Sequence, residues 1–201
     1  MIEIPTPHGP ARAHLRPVDA PRAALVLGHG AGGGVEAPDL RAANDAARAQ
    51  DVGVALVEQP YRVAGRRSPA PAHQLDTAWV AAVEHLLASV FAGLPIVVGG
   101  RSSGARVACR TAATTGAAGV VCLAFPLWPL PRKNGESPPS RLAELEAVTV
   151  PVLVVQGTRD RFGMPPAGKR RAVVEVPGDH SLRSGTEAVG AAVGDWLRAL
   201  L

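Results

Sequence analysis

Cysteine and aromatic residues are scarce in this chain of 201 residues. There are two cysteines, and aromatics make up 3% of the sequence. Two cysteines are too few for a disulfide framework or a cysteine-based metal centre, so we expect Cys109 and Cys122 to be small buried hydrophobic residues in a reducing compartment. Because aromatics are few, the hydrophobic fraction of 47% must form a core mostly of Ala, Val and Leu. The length suits one domain, which we expect to span residues 1–201.

Long apolar runs and basic stripes are missing as well. Glu3, His8, Arg12 and Asp19 interrupt the first twenty residues, so the sequence predicts neither a signal peptide nor a transmembrane helix. We therefore expect a cytoplasmic protein without a membrane partner. The net charge is +4, yet the arginines are scattered and are not interleaved with aromatics, which argues against nucleic-acid binding. Many alanines and arginines beside few lysines favour a GC-rich bacterial genome.

Short apolar segments alternate with amphipathic helical segments along the chain. The predicted buried strands are residues 23–27, 52–57, 95–99, 119–124, 151–155 and 172–176. The predicted helices are residues 39–50, 75–90, 103–110, 141–146 and 189–200. Residues 2–4 and 11–15 have the pattern of an amino-terminal antiparallel hairpin. Strands that alternate with helices predict an α/β fold, with a mostly parallel sheet and helices on both faces.

One motif lies at the junction of a predicted strand and a predicted helix. Gly100-Arg101-Ser102-Ser103-Gly104 fits G-x-S-x-G, and its strand–turn–helix setting is the one that a nucleophile elbow requires. A side chain at either flanking glycine would collide with the neighbouring strand and helix. The alternative is a glycine-rich turn with a surface serine, because the motif alone is weak in a chain with 22 glycines. As an elbow, the turn exposes Ser102 as nucleophile, and the N–H of Ser103 donates to an oxyanion.

A serine nucleophile needs a base, and the base needs an acid that fixes its tautomer. Asp160 and His180 each come shortly after a predicted strand, in the chain order serine, acid, histidine. We therefore expect Asp160 to be the acid and His180 the base. The alternatives are an ordinary turn aspartate at 160, a histidine with a structural role at 180, and Asp179 as a rival acid. Asp179 is the immediate neighbour of His180, so it should point away from the far side of the imidazole.

A glycine-rich loop follows the first central strand and begins with His29-Gly30-Ala31. This stretch resembles the H-G turn of esterases, in which a backbone N–H supplies the second oxyanion donor. We expect Ala31 to be that donor and Gly30 to let a substrate approach the backbone. His29 is expected to brace the loop rather than react.

The same loop permits another interpretation. Gly28, Gly30 and Gly33 fit G-x-G-x-x-G, and Glu58 lies at the end of the next strand, where a dinucleotide fold places its ribose-binding acid. A match in so glycine-rich a loop is weak. A dinucleotide fold also gives no reason for the elbow, the later aspartate and the later histidine to occur together.

Arg101 and Trp128 are candidates for substrate contact. A guanidinium at Arg101 matches a carboxylate or phosphate. The interpretation that we favour is a structural ion pair, with Glu58 as one possible partner. Trp128 lies in the proline-rich segment 125–139, which is too short for a separate cap and is expected to form a loop beside the site. Trp128 and Phe125 suit an acyl pocket and a protein interface equally well.

Together these motifs resemble the α/β-hydrolase superfamily, and within it the small hydrolase-like proteins related to the hydrolase-like domain of a chromatin acetyltransferase complex subunit. Dienelactone hydrolases are more distantly similar. The resemblance runs through residues 29–32, 60–62, 65–67, 99–102, 125–127, 156–160 and 179–181. It implies an α/β-hydrolase fold without a large cap domain, with Ser102 as nucleophile, Asp160 as acid and His180 as base. Trp128 stands where the family commonly has a smaller or polar residue, which affects the shape of the pocket.

The sequence therefore predicts a serine hydrolase that transfers an acyl group from a small ester or thioester to water. This chemistry needs no metal and no organic cofactor, and its partner is a small-molecule acyl substrate. The alternative is a binding or scaffold protein that keeps the fold without turnover and has a protein partner. An intact triad argues against the scaffold, because a protein that only binds has no physical need for all three groups.

Overall fold

The computed structural model describes residues 1–131 and 135–201, and in this part of the chain helices flank one eight-stranded sheet. The strands are β1 Ile2–Ile4, β2 Ala11–Arg16, β3 Ala23–Gly28, β4 Val52–Glu58, β5 Ile96–Arg101, β6 Gly119–Leu123, β7 Val152–Gly157 and β8 Arg171–Val176. The helices are α1 Pro38–Arg48, α2 Pro60–Val63, α3 Ala72–Leu87, α4 Ser103–Thr111, α5 Leu142–Glu146 and α6 Thr186–Leu200, with a 3₁₀ turn at Arg183–Gly185.

The strand order across the sheet is β1-β2-β4-β3-β5-β6-β7-β8. β1 and β2 form an antiparallel hairpin that pairs with β4, and Ala13 of β2 lies opposite Val57 of β4. From β4 to β8 all neighbouring strands are parallel. Parallel strands all end at the same edge, so the loops after β3, β5, β7 and β8 meet there. The prediction of a mostly parallel sheet with an amino-terminal hairpin is confirmed.

Two hydrophobic layers cover the opposite faces of the sheet. Alternate residues of β3 face opposite sides, so Ala24 and Val26 join one layer while Leu25 and Leu27 join the other. The first layer packs against α3 and α4 and includes Trp79, which is 1% exposed. The second layer packs against α1 and α6. Helices therefore lie on both faces of the sheet, as predicted. Separately, none of the described helices is both long and apolar enough to cross a membrane.

Cys109 of α4 and Cys122 of β6 are both buried, as predicted, and their sulfur atoms are 3.4 Å apart in the layer beneath α4. Other details differ from the predictions. Residues 60–63 form the short helix α2 within a predicted loop, because Pro60 at its first position is already in helical geometry. Val90 lies beyond the end of α3 and is 46% exposed.

The segment 125–139 also differs in part from the prediction. Phe125 lies neither in a pocket nor at an exposed interface, because it is fully buried in the core against the first layer. The rest of the segment leads to α5 without a strand or helix among its described residues. Residues 132–134 of this predicted loop lie outside the described residues.

α1 and α6 pack side by side, and a glycine of α6 faces α1. A Cβ atom added to Gly194 would lie 3.7 Å from the Cβ of Ala46, which is an ordinary van der Waals distance. The contact therefore leaves room for a methyl group. Glycine at position 194 makes α6 less stable than alanine would, because glycine has the lower helix propensity.

We predict that Gly194→Ala raises the free energy of unfolding by about 1 kcal/mol, since alanine is favoured over glycine by roughly that amount inside a helix. Urea denaturation followed by circular dichroism measures the change. A lower free energy of unfolding would show that α1 and α6 cannot accept the methyl group.

Candidate active site

Ser102 lies in the turn between β5 and α4, at the carboxyl edge of the sheet. Its φ of 52° and ψ of −108° are strained for a residue other than glycine. The N–H of Ser102 donates to the Leu123 carbonyl at the end of β6, at 2.9 Å. The turn is therefore tied to the sheet while it holds its side chain at the edge.

The two glycines that flank the motif are required by close backbone contacts. A Cβ atom on Gly100 would lie 2.5 Å from the carbonyl oxygen of Gly28, and a Cβ atom on Gly104 would lie 2.5 Å from the same oxygen. Real Cβ atoms do not approach backbone oxygens so closely. The turn and the start of α4 can thus rest directly on the end of β3, as the elbow motif predicts.

The structure brings Ser102, His180 and Asp160 into one line of contacts. The Nε2 atom of His180 is 2.9 Å from the Oγ atom of Ser102, and its Nδ1 atom is 2.8 Å from the Oδ2 atom of Asp160. A carboxylate only accepts hydrogen bonds, so the Nδ1–H donates to Asp160 and Nε2 is left to accept the hydroxyl hydrogen of Ser102. This arrangement suits transfer of a proton from Ser102 to His180.

Asp160 is held by groups that the sequence pattern alone does not identify. Its side chain is 1% exposed. Oδ2 accepts a hydrogen bond from the Gln156 amide at 2.9 Å, and Oδ1 accepts one from the Phe162 N–H at 2.9 Å. In the sequence, Gln156 could have been noticed as a polar residue at the end of the otherwise apolar strand β7. These two hydrogen bonds fix the orientation of the carboxylate independently of its contact with His180.

Phe162 also restrains the histidine directly. Its ring packs against the imidazole of His180 with the ring centroids 4.4 Å apart. The Phe162 carbonyl accepts the N–H of Trp128 at 2.8 Å. Trp128 is 53% exposed and packs on Gly163, where an added Cβ would lie 2.5 Å from the indole. Phe162 therefore lies between Trp128 and the triad. Trp128 contacts Phe162, and Phe162 contacts His180.

Asp179 does not compete with Asp160 for the imidazole. Its Oδ1 atom accepts the N–H of Ser181 at 2.8 Å and the hydroxyl of Ser181 at 2.6 Å. These hydrogen bonds lower the pKa of Asp179. The carboxylate on the imidazole is that of Asp160, which lies 20 residues before His180.

The glycine-rich loop after β3 is braced by His29, as expected. His29 is 3% exposed, and its Nε2 atom accepts the Gln59 N–H at 3.1 Å. Because Nε2 accepts, the hydrogen is on Nδ1, which donates to the Gly30 carbonyl at 2.8 Å. On the other side of the loop, the Tyr61 hydroxyl donates to the Ala31 carbonyl at 3.0 Å. Burial lowers the pKa of His29 below its ordinary value of 6.5, which favours this neutral form.

The peptide between Gly30 and Ala31 is oriented by the same contacts. In a trans peptide the carbonyl and the N–H point in opposite directions. The Gly30 carbonyl is bound to His29, so the Ala31 N–H points away from His29. A Cβ atom on Gly30 would lie 3.6 Å from the Cβ of Ser102. The loop therefore runs directly beside the serine.

Arg101 forms a structural ion pair, but with a different partner from the one considered above. Its Nε atom is 2.9 Å from Oδ2 of Asp39. Glu58 instead contacts His14 at 3.0 Å, because the last residue of β4 lies beside the antiparallel strand β2. The side chain of Asp39 is fully buried. Burial raises the pKa of Asp39, and the charge of Arg101 opposes that rise.

The guanidinium of Arg101 also lies beside Gly30, for which close approach of a substrate stays a prediction. A Cβ atom on Gly30 would lie 2.8 Å from the Nη1 atom of Arg101. The missing side chain at Gly30 therefore makes room for the guanidinium. Another nitrogen of that group, Nη2, donates to the carbonyl of His180 at 2.9 Å.

An open cleft of about 490 Å³ lies beside these groups. It is lined by residues 32–34, residues 36–38, Arg101, Ser181 and Arg183. Arg101 and Ser181 are the chain neighbours of Ser102 and His180, but no residue of the triad itself lines the cleft. Another cleft, of about 400 Å³, lies near the starts of β7 and β8, at the opposite edge of the sheet. Across residues 1–131 and 135–201, no group of three His, Cys, Asp or Glu side chains is placed to hold a metal ion.

Comparison with known proteins places this geometry in context. A family model described as an alpha/beta hydrolase domain matches residues 21–186. No curated protein matches the sequence. Among solved structures, a serine hydrolase without a lid from Xanthomonas campestris is 17% identical, with a TM-score of 0.77 over 100% of this chain and 94% of that one.

Two further structures are similar over the whole fold. Est1E from Butyrivibrio proteoclasticus is 17% identical over 99% of this chain and 98% of its own, with a TM-score of 0.77. A dienelactone hydrolase from Anabaena variabilis is 15% identical over 98% of this chain and 95% of its own, also with a TM-score of 0.77. At these identities the likeness shows a shared fold. The dinucleotide interpretation of the glycine-rich loop is not supported.

We predict that Gly104→Ala lowers the free energy of unfolding by about 1–3 kcal/mol, the usual effect of forcing a methyl group into a filled space. The reason is the contact with the Gly28 carbonyl described above. Gly194→Ala is the matched control, because it places the same methyl group in a helix that has room for it. Equal urea midpoints for the two variants would contradict the close contact at the elbow.

The lowered pKa of His29 sets the direction of a pH effect on stability. The unfolded chain binds a proton at His29 near pH 6.5, whereas the folded protein, with its lowered pKa, binds that proton only at lower pH. The free energy of unfolding should therefore fall as the pH drops below that value. We predict that His29→Gln, which keeps an oxygen to accept the Gln59 N–H, weakens this dependence. Denaturation of both proteins between about pH 5.5 and pH 7.5 measures it, and parallel curves would contradict it.

Proposed function

The chain belongs to the alpha/beta hydrolase domain family, and from this we propose that it is a serine hydrolase that cleaves a small ester or thioester through an acyl-enzyme. The observation that carries the proposal is the unbroken line of contacts from Asp160 through His180 to Ser102. Family membership supports a hydrolase. The three side chains supply the nucleophile, the base and the acid that such chemistry requires.

In the first half of the reaction, the Ser102 oxygen attacks the carbonyl carbon while Nε2 of His180 takes the hydroxyl proton. The carbonyl π electrons move to oxygen and form a tetrahedral oxyanion. Asp160 stabilises the positive charge that forms on the imidazole. The oxyanion then collapses, and the C–O or C–S bond of the substrate breaks. The departing alcohol or thiol takes the proton from His180, which leaves the acyl group on Ser102.

In the second half, His180 takes a proton from water as the water oxygen attacks the acyl carbon. A second oxyanion forms and collapses, the bond to Ser102 breaks, and the proton on His180 returns to the serine. The acid is released and the enzyme is regenerated. Every proton and electron pair is accounted for by the substrate, water and the three side chains.

The oxyanion would be held by the N–H groups of Ala31 and Ser103. Ser103 is the first residue of α4, where free N–H groups and the helix dipole both favour negative charge. The contact between His29 and the Gly30 carbonyl turns the Ala31 N–H away from His29, in a loop whose Gly30 lies beside Ser102. Loss of one such donor costs about 3 kcal/mol of transition-state stabilisation.

Two surfaces near Ser102 and His180 would contact the substrate. The cleft beside Arg101 and Ser181 would receive one side of the ester. Phe162, whose ring packs on the imidazole of His180, and the exposed indole of Trp128 would offer apolar surface for the acyl or alcohol group. We therefore assign Trp128 to the border of the binding site, outside the direct contacts of the triad.

We predict that a fluorophosphonate probe labels the wild-type protein once, as read by intact mass. Ser102→Ala and His180→Ala should not be labelled, because the former lacks the nucleophile and the latter the base. Asp160→Asn should be labelled more slowly, by about a thousandfold or more, since it favours the wrong histidine tautomer.

Asp179→Asn is the matched control for the acid. It changes the neighbouring carboxylate but keeps an oxygen for Ser181, so its labelling rate should equal that of the wild type. A folded wild type that is not labelled would contradict the proposal and favour the scaffold interpretation. Equal slowing in Asp160→Asn and Asp179→Asn would contradict the assignment of the acid.

A further inference from the structure

The guanidinium of Arg101 contacts three separate segments at the active edge. Arg101 itself is the residue directly before Ser102, so its backbone is part of the nucleophile turn. Nη2 donates to the main-chain carbonyl of His180 at 2.9 Å, and Nη1 packs against Gly30 of the loop that would hold the oxyanion. Nε binds Asp39 at the start of α1, at 2.9 Å. One side chain therefore links the nucleophile turn, the histidine loop and the glycine-rich loop.

The partner of this guanidinium is fixed in place. The Asp39 side chain is fully buried, and its Oδ1 atom accepts the N–H of Leu40 at 3.0 Å. α1 in turn packs against the sheet and α6 through buried side chains such as Leu40 and Ala43. Separating the pair would leave a buried carboxylate without a counter-charge, which is strongly unfavourable. Asp39 thus anchors the guanidinium to the body of the fold.

We infer that Arg101 is a positioning residue for the reaction proposed above, on which this inference rests. Its ion pair with Asp39 sets the main chain of His180 and the glycine-rich loop relative to Ser102. The rigid planar fork of arginine is needed, because Nε faces Asp39 while Nη2 reaches the His180 carbonyl. A lysine carries all its donors on one nitrogen, which can neutralise Asp39 but cannot occupy the separate positions of Nε and Nη2.

The test compares Arg101→Lys with a matched control at a second ion pair. Arg110 lies in the last turn of α4 and binds Asp76 through two hydrogen bonds of 2.8 and 2.6 Å. Its side chain is 20% exposed, against 17% for Arg101, although Asp76 is 24% exposed where Asp39 is fully buried, and Arg110 also contacts Glu144 at 3.4 Å. Arg110→Lys therefore weakens another ion pair of a half-buried arginine, one that has no contact with the three segments.

The substrates are p-nitrophenyl acetate, which is neutral, and mono-p-nitrophenyl succinate, which is anionic. We expect Arg101→Lys to lower kcat about 10- to 100-fold for both esters with KM nearly unchanged, as small misplacement of catalytic groups does. Arg110→Lys should keep the wild-type kcat. Equal kcat values for the two variants would overturn the inference. A rise in KM confined to the anionic ester would also overturn it and would make Arg101 a substrate anchor.

A second measurement does not depend on turnover. Amide hydrogen exchange should be faster in residues 29–33 and 178–182 of Arg101→Lys than in wild type or Arg110→Lys, because both loops lose a fixed contact. Unchanged exchange in these loops overturns the inference. If the wild type neither hydrolyses esters nor reacts with the probe, the proposed function fails, and the exchange result still decides whether Arg101 positions the loops.

Discussion

The strained turn at Ser102 is the constraint on which the active edge depends. A positive φ at a residue other than glycine costs about 1–3 kcal/mol and persists only where the surroundings enforce it. Here β3 and the start of α4 approach so closely that the backbone has no space for side chains at Gly100 and Gly104. The carbonyl of Leu123 holds the turn from the other side. The loops around the serine are then positioned relative to a turn that is fixed by the sheet.

The remaining polar groups stabilise that edge in two different ways. His29 is buried as a neutral ring that donates one hydrogen bond and accepts another, so it orients backbone without introducing charge. Arg101, which is partly buried, forms an ion pair with the fully buried Asp39 and donates a hydrogen bond to the His180 carbonyl, so it connects segments through charge and a directional bond. A neutral side chain such as His29 suits the loop whose backbone would bind the oxyanion. A charged pair suits the place where distant segments have to be fixed together.

Much of the fold and the candidate triad could be predicted because the signals are local. Apolar runs mark the strands, and a motif or a polar residue directly after a strand marks the carboxyl edge of a parallel sheet. Contacts between elements far apart in sequence could not be predicted in the same way. The partner of Arg101 is Asp39 rather than Glu58, because the choice depends on where the start of α1 rests after packing. The burial of Phe125 and the contact of Phe162 with the histidine also depend on packing.

The most direct test of a serine-centred site at this edge is a crystal structure of the protein after reaction with a fluorophosphonate. The phosphorus should be bonded to the Ser102 oxygen, and a phosphoryl oxygen should lie about 2.7–3.1 Å from the N–H groups of both Ala31 and Ser103. The imidazole of His180 should remain between the adduct and Asp160. A phosphoryl oxygen that points away from both N–H groups, or an adduct on another residue, would contradict the assignment of nucleophile and oxyanion donors.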